Sequence, residues 1–136
     1  MAYERGTGMV QTYAAIAGAV LVLVGLLGFL NTPIVGSTGG ALLATDSLHN
    51  IVHIATGLFG LYVAFGLKGR AQIQGMLAFA ILYAIILVAV LISPTLFGLF
   101  SVAANLPLHV IHAALAVAGF ATYFMARSAA GTAQVA

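Results

Sequence analysis

The residues best suited to chemistry in this sequence are four histidines, which occur as two pairs. His49 and His53 have the spacing H-x-x-x-H, and His109 and His112 have the spacing H-x-x-H. Residues three or four positions apart share one face of an α-helix, so each pair can present two imidazoles on the same side. Neutral imidazole is the commonest metal ligand among side chains. Asp46, three residues before His49, adds a carboxylate at a spacing found in the metal sites of helical bundles, which completes a candidate ligand site.

Two kinds of ligand fit this pattern. Nitrogen-rich ligation suits Zn²⁺ or copper. A tetrapyrrole is the other kind: haem iron takes one histidine from each of two helices, here His53 and His112, and the magnesium of a chlorophyll needs a single axial ligand. The spacing of the histidines does not separate a metal ion from a tetrapyrrole, and both stay open.

A purely structural role for the same residues is the main alternative. Asp46 and Asn105 are residue types that cap helix N-termini, and Asn50 is a further polar group among the histidines. Histidines in membrane helices also form hydrogen bonds to neighbouring helices, each contributing roughly 0.6 kcal/mol. On the ligand-site interpretation, Asn50 and Asn105 instead support the ligating side chains or cap their helices.

The amino-acid composition indicates whether the surface of this protein faces water or lipid. Of its 136 residues, 63% are hydrophobic and 4% are charged, whereas a soluble domain has about 25% charged residues. Most of the surface must therefore face lipid, which predicts an integral membrane protein. The lack of cysteine excludes thiolate chemistry, and a formal net charge of +2 is too small for nucleic-acid binding. Because no nucleophile–base set exists beyond the histidines and Asp46, we expect no enzymatic activity.

Four apolar segments are long enough to cross the bilayer as helices, since a hydrocarbon core of about 30 Å needs about 20 residues. These segments are about 12–31, 46–67, 71–92 and 105–126. Pro33 and Pro94 follow the first and third, where proline ends a helix, and Pro107 lies in the first turn of the fourth. The predicted fold class is all-α: a transmembrane four-helix bundle that forms a single domain over residues 1–136.

The basic residues predict the orientation of the spans. Arg5 precedes the first span and Arg127 follows the fourth. Lys68 and Arg70 lie in the turn between the second and third spans, so all four basic residues fall on one side of the membrane. The positive-inside rule then predicts that both termini are cytoplasmic and that the two longer loops face outward.

An internal repeat relates two halves of the chain, residues 12–68 and 71–127. A shift of 59 residues superimposes the polar residues of the second span on those of the fourth. The pattern predicts two repeated helical hairpins in which the second and fourth spans are equivalent. The matched polar pairs are Asp46 with Asn105, Asn50 with His109, and His53 with His112.

Small residues continue both polar faces. Gly57 and Gly60 follow the histidines of the second span at helical spacing, and Ala116 and Gly119 follow those of the fourth. Small side chains let membrane helices approach closely. We therefore expect the second and fourth spans to pack on each other along these faces, which would bring the two sets of histidines to equal depth.

The motif NIVHIATG, from Asn50 to Gly57, and its counterpart LHVIH, which ends at His112, resemble a known family. It consists of small four-span bacterial membrane proteins grouped as a domain of unknown function, with an N-x-x-H or related element at the head of the second helix of each hairpin. The resemblance covers nearly the whole chain. It implies the four-span topology and a bacterial inner-membrane location, and it implies no activity. His49 and His109 are additional to the family pattern, which favours ligand binding over capping.

We therefore predict a non-catalytic membrane component, a small accessory subunit of a larger membrane complex, whose histidine cluster binds a metal ion or a tetrapyrrole. Because so little of the chain leaves the membrane, the expected partners are the lipid bilayer and other membrane proteins or further copies of this chain. A purely structural bundle is the alternative. A small transporter or channel is a third possibility, disfavoured because the spans carry few polar residues through their inner two thirds.

Overall fold

Four long helices make up most of the computed structural model, which describes residues 2–38 and 40–132. They are α1 (Ala2–Phe29), α2 (Ser47–Leu61), α3 (Gly69–Ile92) and α4 (Leu106–Thr132). α2 passes directly into a π-helical turn, Tyr62–Gly66. With that turn counted as part of α2, all four are long and apolar enough to cross a membrane. This confirms the predicted all-helical fold with four apolar helices of membrane-spanning length.

Two helices extend beyond the apolar segments that predicted them. α1 begins at Ala2 rather than near residue 12, and α4 continues to Thr132 rather than ending near 126. Hydropathy marks the part of a helix that suits lipid, whereas backbone hydrogen bonding continues through polar residues that still favour helix. Both extensions lie at the same end of the bundle.

The loop between α1 and α2 contains two short parallel strands that the sequence did not predict, β1 (Val35–Gly36) and β2 (Leu43–Ala44). Asn31, just after α1, has a left-handed backbone with φ of 52°, which asparagine tolerates. Its Oδ1 accepts a hydrogen bond of 2.8 Å from the Ser37 backbone N–H. The paired strands lead directly to the start of α2 and so fix where that helix begins.

The helices pack within the two predicted hairpins, α1 with α2 and α3 with α4, but not in the expected pairing of the second and fourth spans. α1 packs along α2 and α4, and α3 packs along α4. Among the described residues, α2 and α4 face each other across the interior without packing as neighbours. The expectation that the second and fourth spans pack directly on each other is therefore wrong, because other helices occupy the small-residue faces of both.

Those small residues lie where helices approach closely. A Cβ at Gly57 would lie 2.7 Å from the carbonyl oxygen of Gly18 in α1, and a Cβ at Gly60 would lie 3.1 Å from the Cα of Gly18. On α4, a Cβ at Gly119 would lie 3.0 Å from the Cβ of Ala80 in α3. Ala116 is buried in the same core. The α2 face is thus covered by α1, and the α4 face by α3.

The two ends of the bundle differ in charge. Tyr3 of α1 contacts Gly69 at the start of α3, and Gly6 contacts Ala126 of α4, so these helix ends meet. The histidines lie in the opposite half, and an apolar core that includes Phe79 fills the space between. The basic residues at the first end are Arg5, Lys68, Arg70 and Arg127, and all four are exposed.

Candidate metal centre

Three of the four histidines converge inside the bundle. His49 and His53 come from α2 and His112 comes from α4, and one ring nitrogen from each lies within 4.8 Å of the other two. The ring centroids of His49 and His53 are 4.5 Å apart, and that of His112 is 6.0 Å from the first and 6.2 Å from the second. All three side chains are at most 2% exposed. We call these three residues the histidine triad.

Helix geometry explains this convergence. His49 and His53 are four residues apart, which places both rings on the face of α2 that points into the bundle. His112 is the histidine of its pair that α4 turns fully inward, while His109 is only partly buried. The triad therefore needs one helix to supply two ligands and the opposite helix to supply the third.

Aromatic and apolar side chains enclose the triad. The ring of Phe100 stacks on that of His49 at 4.5 Å, with 3° between the planes. Tyr83 of α3 lies with its ring 6.0 Å from that of His112, and its hydroxyl is 2.6 Å from the hydroxyl of Thr56. The chamber they bound has a volume of about 30 Å³, room for about one or two water-sized groups.

The loop after α3 covers the chamber in a strained conformation. Leu96 and Phe97 have positive φ angles of 48° and 59°, which bulky L-residues rarely adopt. The Ser93 hydroxyl accepts a hydrogen bond of 2.9 Å from the Phe97 backbone N–H and holds the turn. As a result Leu96 and Phe100 both line the chamber.

The triad lacks the hydrogen bonds that a purely structural role requires. The Nδ1 atoms of His49, His53 and His112 are buried and have no hydrogen-bond partner within the described part of the chain. Leaving a buried polar atom unpaired costs about 1–3 kcal/mol. Three such atoms, on residues that line one small chamber, are a costly arrangement for helix packing alone.

Asp46 caps a helix and anchors a loop rather than joining the triad. Its Oδ1 accepts a hydrogen bond of 2.8 Å from the His49 backbone N–H. Its Oδ2 accepts hydrogen bonds from the backbone N–H groups of Ser101 and Val102 and from the Ser101 hydroxyl. Burial favours the neutral acid, but these hydrogen bonds hold the pKa of Asp46 below its ordinary value of 3.8. Both oxygens of the carboxylate are therefore already occupied.

The other predicted polar residues lie outside the triad. His109 is partly buried, and its Nδ1 has no partner among the described residues. The Asn105 side chain donates a hydrogen bond of 3.0 Å to the Leu42 carbonyl, in the loop before α2, instead of capping α4. Residues that the predicted repeat matches, such as Asp46 and Asn105, thus have different roles.

Asn50 faces α1 rather than the triad. A Cβ at Gly28 would collide with the side-chain amide of Asn50, so glycine leaves space for this amide. Asn50 and Thr45 line a cleft of about 400 Å³, and their side-chain oxygens are buried without a partner among the described residues. Because His49 directly precedes Asn50, the same turn of α2 borders the triad chamber with one residue and this polar cleft with the next.

A tetrapyrrole does not fit between His53 and His112. A haem or chlorophyll macrocycle is many times larger than a chamber of about 30 Å³. The side chains of Tyr83 and Phe100 line this chamber beside the histidines. The size of the chamber therefore favours the metal-ion alternative over the tetrapyrrole at this position.

The residues that enclose the triad are not predictable from the sequence pattern. Phe100 and Leu96 lie in a loop with no periodic pattern, and their role depends on the strained turn. Tyr83 is noticeable in the sequence as a hydroxyl group in an apolar span. Its hydrogen bond with Thr56 was not predictable, because the sequence does not show how α2 and α3 are aligned along each other. Nothing in the sequence indicates that Gly28 of α1 packs against the side chain of Asn50.

The chain belongs to the family described as Domain of unknown function (DUF4383), which matches residues 11–129. The match confirms the resemblance that the motifs in α2 and α4 indicated, and it includes the histidine triad. No curated protein and no solved structure matches the chain. The functional conclusion therefore rests on the geometry of the site.

Proposed function

We propose that this protein is an integral membrane protein that binds one copper(I) ion between His49, His53 and His112. The observation that carries the proposal is the convergence of three buried imidazoles whose ligand atoms lie within 4.8 Å of one another. An ion held about 2.0 Å from each nitrogen needs the nitrogens roughly 3.3–3.5 Å apart. Small side-chain rotations supply that change, and the bound ion would give one nitrogen of each buried ring a partner.

The charge of the site favours copper(I) over Zn²⁺. All three candidate ligands are neutral imidazoles, and the described lining of the chamber is otherwise apolar or aromatic. The cost of burying an ion rises with the square of its charge, so a doubly charged ion costs about four times as much as a singly charged one. The nearby carboxylate of Asp46 is already committed to four hydrogen bonds and so does not act as a ligand that would offset a second charge.

The proposed role is to hold the ion without catalysis or conduction. A chamber of about 30 Å³ has no space for a substrate beside the ion. Between the triad and the basic end, the interior is filled by an apolar core that includes Met76 and Phe79. A path for ions normally needs polar groups through the full depth of the membrane.

We further propose that the protein is a small subunit of a larger assembly in the bacterial inner membrane. The four exposed basic residues at one end support cytoplasmic termini. Most of the described residues lie in the four apolar helices. Contacts with partners would therefore be made within the bilayer, by other membrane proteins or by further copies of this chain.

A copper titration tests the metal site. The purified full-length protein in detergent is titrated anaerobically with copper(I) in competition with a chromogenic copper(I) chelator, and separately with Zn²⁺. We expect one copper(I) per chain and weaker binding of Zn²⁺. His53→Ala and His112→Gln each remove a ligand and should weaken binding by more than the 10–100-fold typical for loss of an outer contact.

His109→Ala is the matched control, because it removes a histidine of α4 that lies outside the triad. It should retain one copper(I) per chain with the affinity of the unsubstituted protein. Circular dichroism and size-exclusion chromatography check that each variant is folded. The proposal is overturned if the unsubstituted protein binds no copper(I), if both triad variants bind it unchanged, or if only His109→Ala loses it.

A further inference from the structure

The end of the bundle opposite the histidines contains a cavity of about 570 Å³ that the proposed metal site does not use. It lies where three helices converge: Tyr3 belongs to α1, Arg70 to α3, and Tyr123 and Arg127 to α4. The other described residues that line it are Ile73, Gln74, Ala130 and Gly131. Two guanidinium groups and two phenol groups thus surround one space at the end of the bundle.

The charge of this cavity suits an anion. Arg70 lies in the first turn of α3, which contains no acidic residue, and the positive end of the helix dipole adds to its charge. The chain has only two acidic side chains, and neither is among the described lining residues. Glu4 lies on α1 outside the lining, and Asp46 lies at the opposite end of the bundle.

The residue types suit a phosphate group in particular. The planar guanidinium of arginine binds phosphate through two parallel hydrogen bonds, and a tyrosine hydroxyl can donate another. The Tyr3 hydroxyl lies against Gly69 at the start of α3, so it is positioned beside Arg70. A volume of about 570 Å³ is much larger than a phosphate ion and falls within the range of about 300–1,000 Å³ typical of small-molecule sites.

The position of the cavity identifies the source of that phosphate. Arg70 is the second residue of one candidate span, Gly69–Ile92, and Arg127 lies near the end of another, Leu106–Gly131. Both arginines are therefore at the depth of lipid headgroups, where tyrosine is also enriched. Basic pockets between membrane helices at this depth are typical binding sites for anionic lipids.

We infer that this cavity binds the headgroup of an anionic glycerophospholipid, with Arg70 and Arg127 on the phosphate and the glycerol backbone in the remaining volume. The acyl chains extend along the lipid-facing surface of α4, where Phe124 is exposed beside Tyr123. This inference is independent of the copper site, because the two lie at opposite ends of the bundle.

Native mass spectrometry of the full-length protein tests the inference. The protein is equilibrated with equal amounts of phosphatidylglycerol and phosphatidylcholine that carry identical acyl chains. We expect phosphatidylglycerol adducts to dominate. Arg70→Gln and Arg127→Gln should each weaken phosphatidylglycerol binding about tenfold, and the double variant about 100-fold, given the usual loss for one hydrogen bond to a charged group.

Arg5→Gln and Lys68→Gln are matched controls, because they remove the same charge from the same end of the bundle without changing the described lining. They should bind phosphatidylglycerol within twofold of the unsubstituted protein, and circular dichroism checks the fold of all variants. Equal binding of the two lipids, or equal losses in the control and cavity variants, overturns the inference. Displacement of phosphatidylglycerol by millimolar inorganic phosphate also overturns it, since it would identify a site for free phosphate.

Discussion

Substitution of Asp46 tests how one carboxylate holds the loops around the histidine triad. Asp46→Asn keeps one carbonyl oxygen that can cap the His49 N–H, but its amide NH₂ then faces the N–H donors of Ser101 and Val102. Asp46→Ala removes both functions. The two variants therefore separate the contribution of the helix cap from that of the loop anchor.

The structure gives a magnitude for each contribution. A lost N-cap costs about 1 kcal/mol. The unpaired loop donors cost about 1–2 kcal/mol, the lower part of the usual range, because Ser101 is exposed and its N–H can bind water instead. We therefore expect Asp46→Asn to lower the free energy of unfolding by about 1–2 kcal/mol and Asp46→Ala by about 2–3 kcal/mol.

The assay is equilibrium unfolding in detergent at neutral pH, followed by circular dichroism. Glu4→Gln is the matched control, since it removes the only other acidic side chain of the protein from an exposed position at the opposite end. It should lower stability by less than Asp46→Asn does, because interactions of an exposed charged side chain contribute little. If Asp46→Asn is as stable as the unsubstituted protein, the carboxylate does not anchor the loop and the reasoning fails.

Three further predictions concern packing and metal binding. Gly18→Ala should destabilise the protein by about 1–3 kcal/mol, because the new Cβ would lie 2.7 and 2.8 Å from backbone atoms of α2. The control Gly8→Ala has no neighbour within 4 Å and should be neutral or stabilising by up to about 1 kcal/mol in the same unfolding assay. Tyr83→Phe removes the hydrogen bond to Thr56 and should cost about 1 kcal/mol, yet leave copper affinity unchanged in a titration. Copper(I) at about 100 times its dissociation constant should raise the free energy of unfolding by about 2.7 kcal/mol, an increase that should be absent in His53→Ala.

Those features of the fold that the bilayer determines were predictable from the sequence. Low charge, four apolar segments and three prolines give the number and order of the helices, because the bilayer sets the length that each must have. Which helices contact each other depends on the shapes of their faces. The expectation from the sequence that the second and fourth spans pack together was wrong. Gly57 and Gly119 do mark close approaches between helices, but a glycine does not identify its partner, and these two pack on α1 and α3.

The candidate ligand residues of the site were predictable from the sequence, but the residues that enclose them were not. The four-residue spacing of His49 and His53 fixes them on one helix face, and the repeat pointed to His112 as their counterpart. From the sequence, Asp46 is equally suited to be a metal ligand or a helix cap. The structure decides between these two roles, because the loop at Ser101 donates hydrogen bonds to the carboxylate. Phe100 reaches the triad through a strained turn that no periodic pattern encodes.

X-ray absorption at the copper edge of protein loaded with one equivalent of copper(I) tests the central claim most directly, because it reports the ligand atoms themselves. The histidine triad predicts a first shell of three nitrogens with the multiple-scattering signature of three imidazoles. His53→Ala should reduce that signature to two imidazoles, and His109→Ala should leave it unchanged. A first shell of methionine sulfur or of oxygen in the unsubstituted protein, or three imidazoles that persist in His53→Ala, would contradict the account.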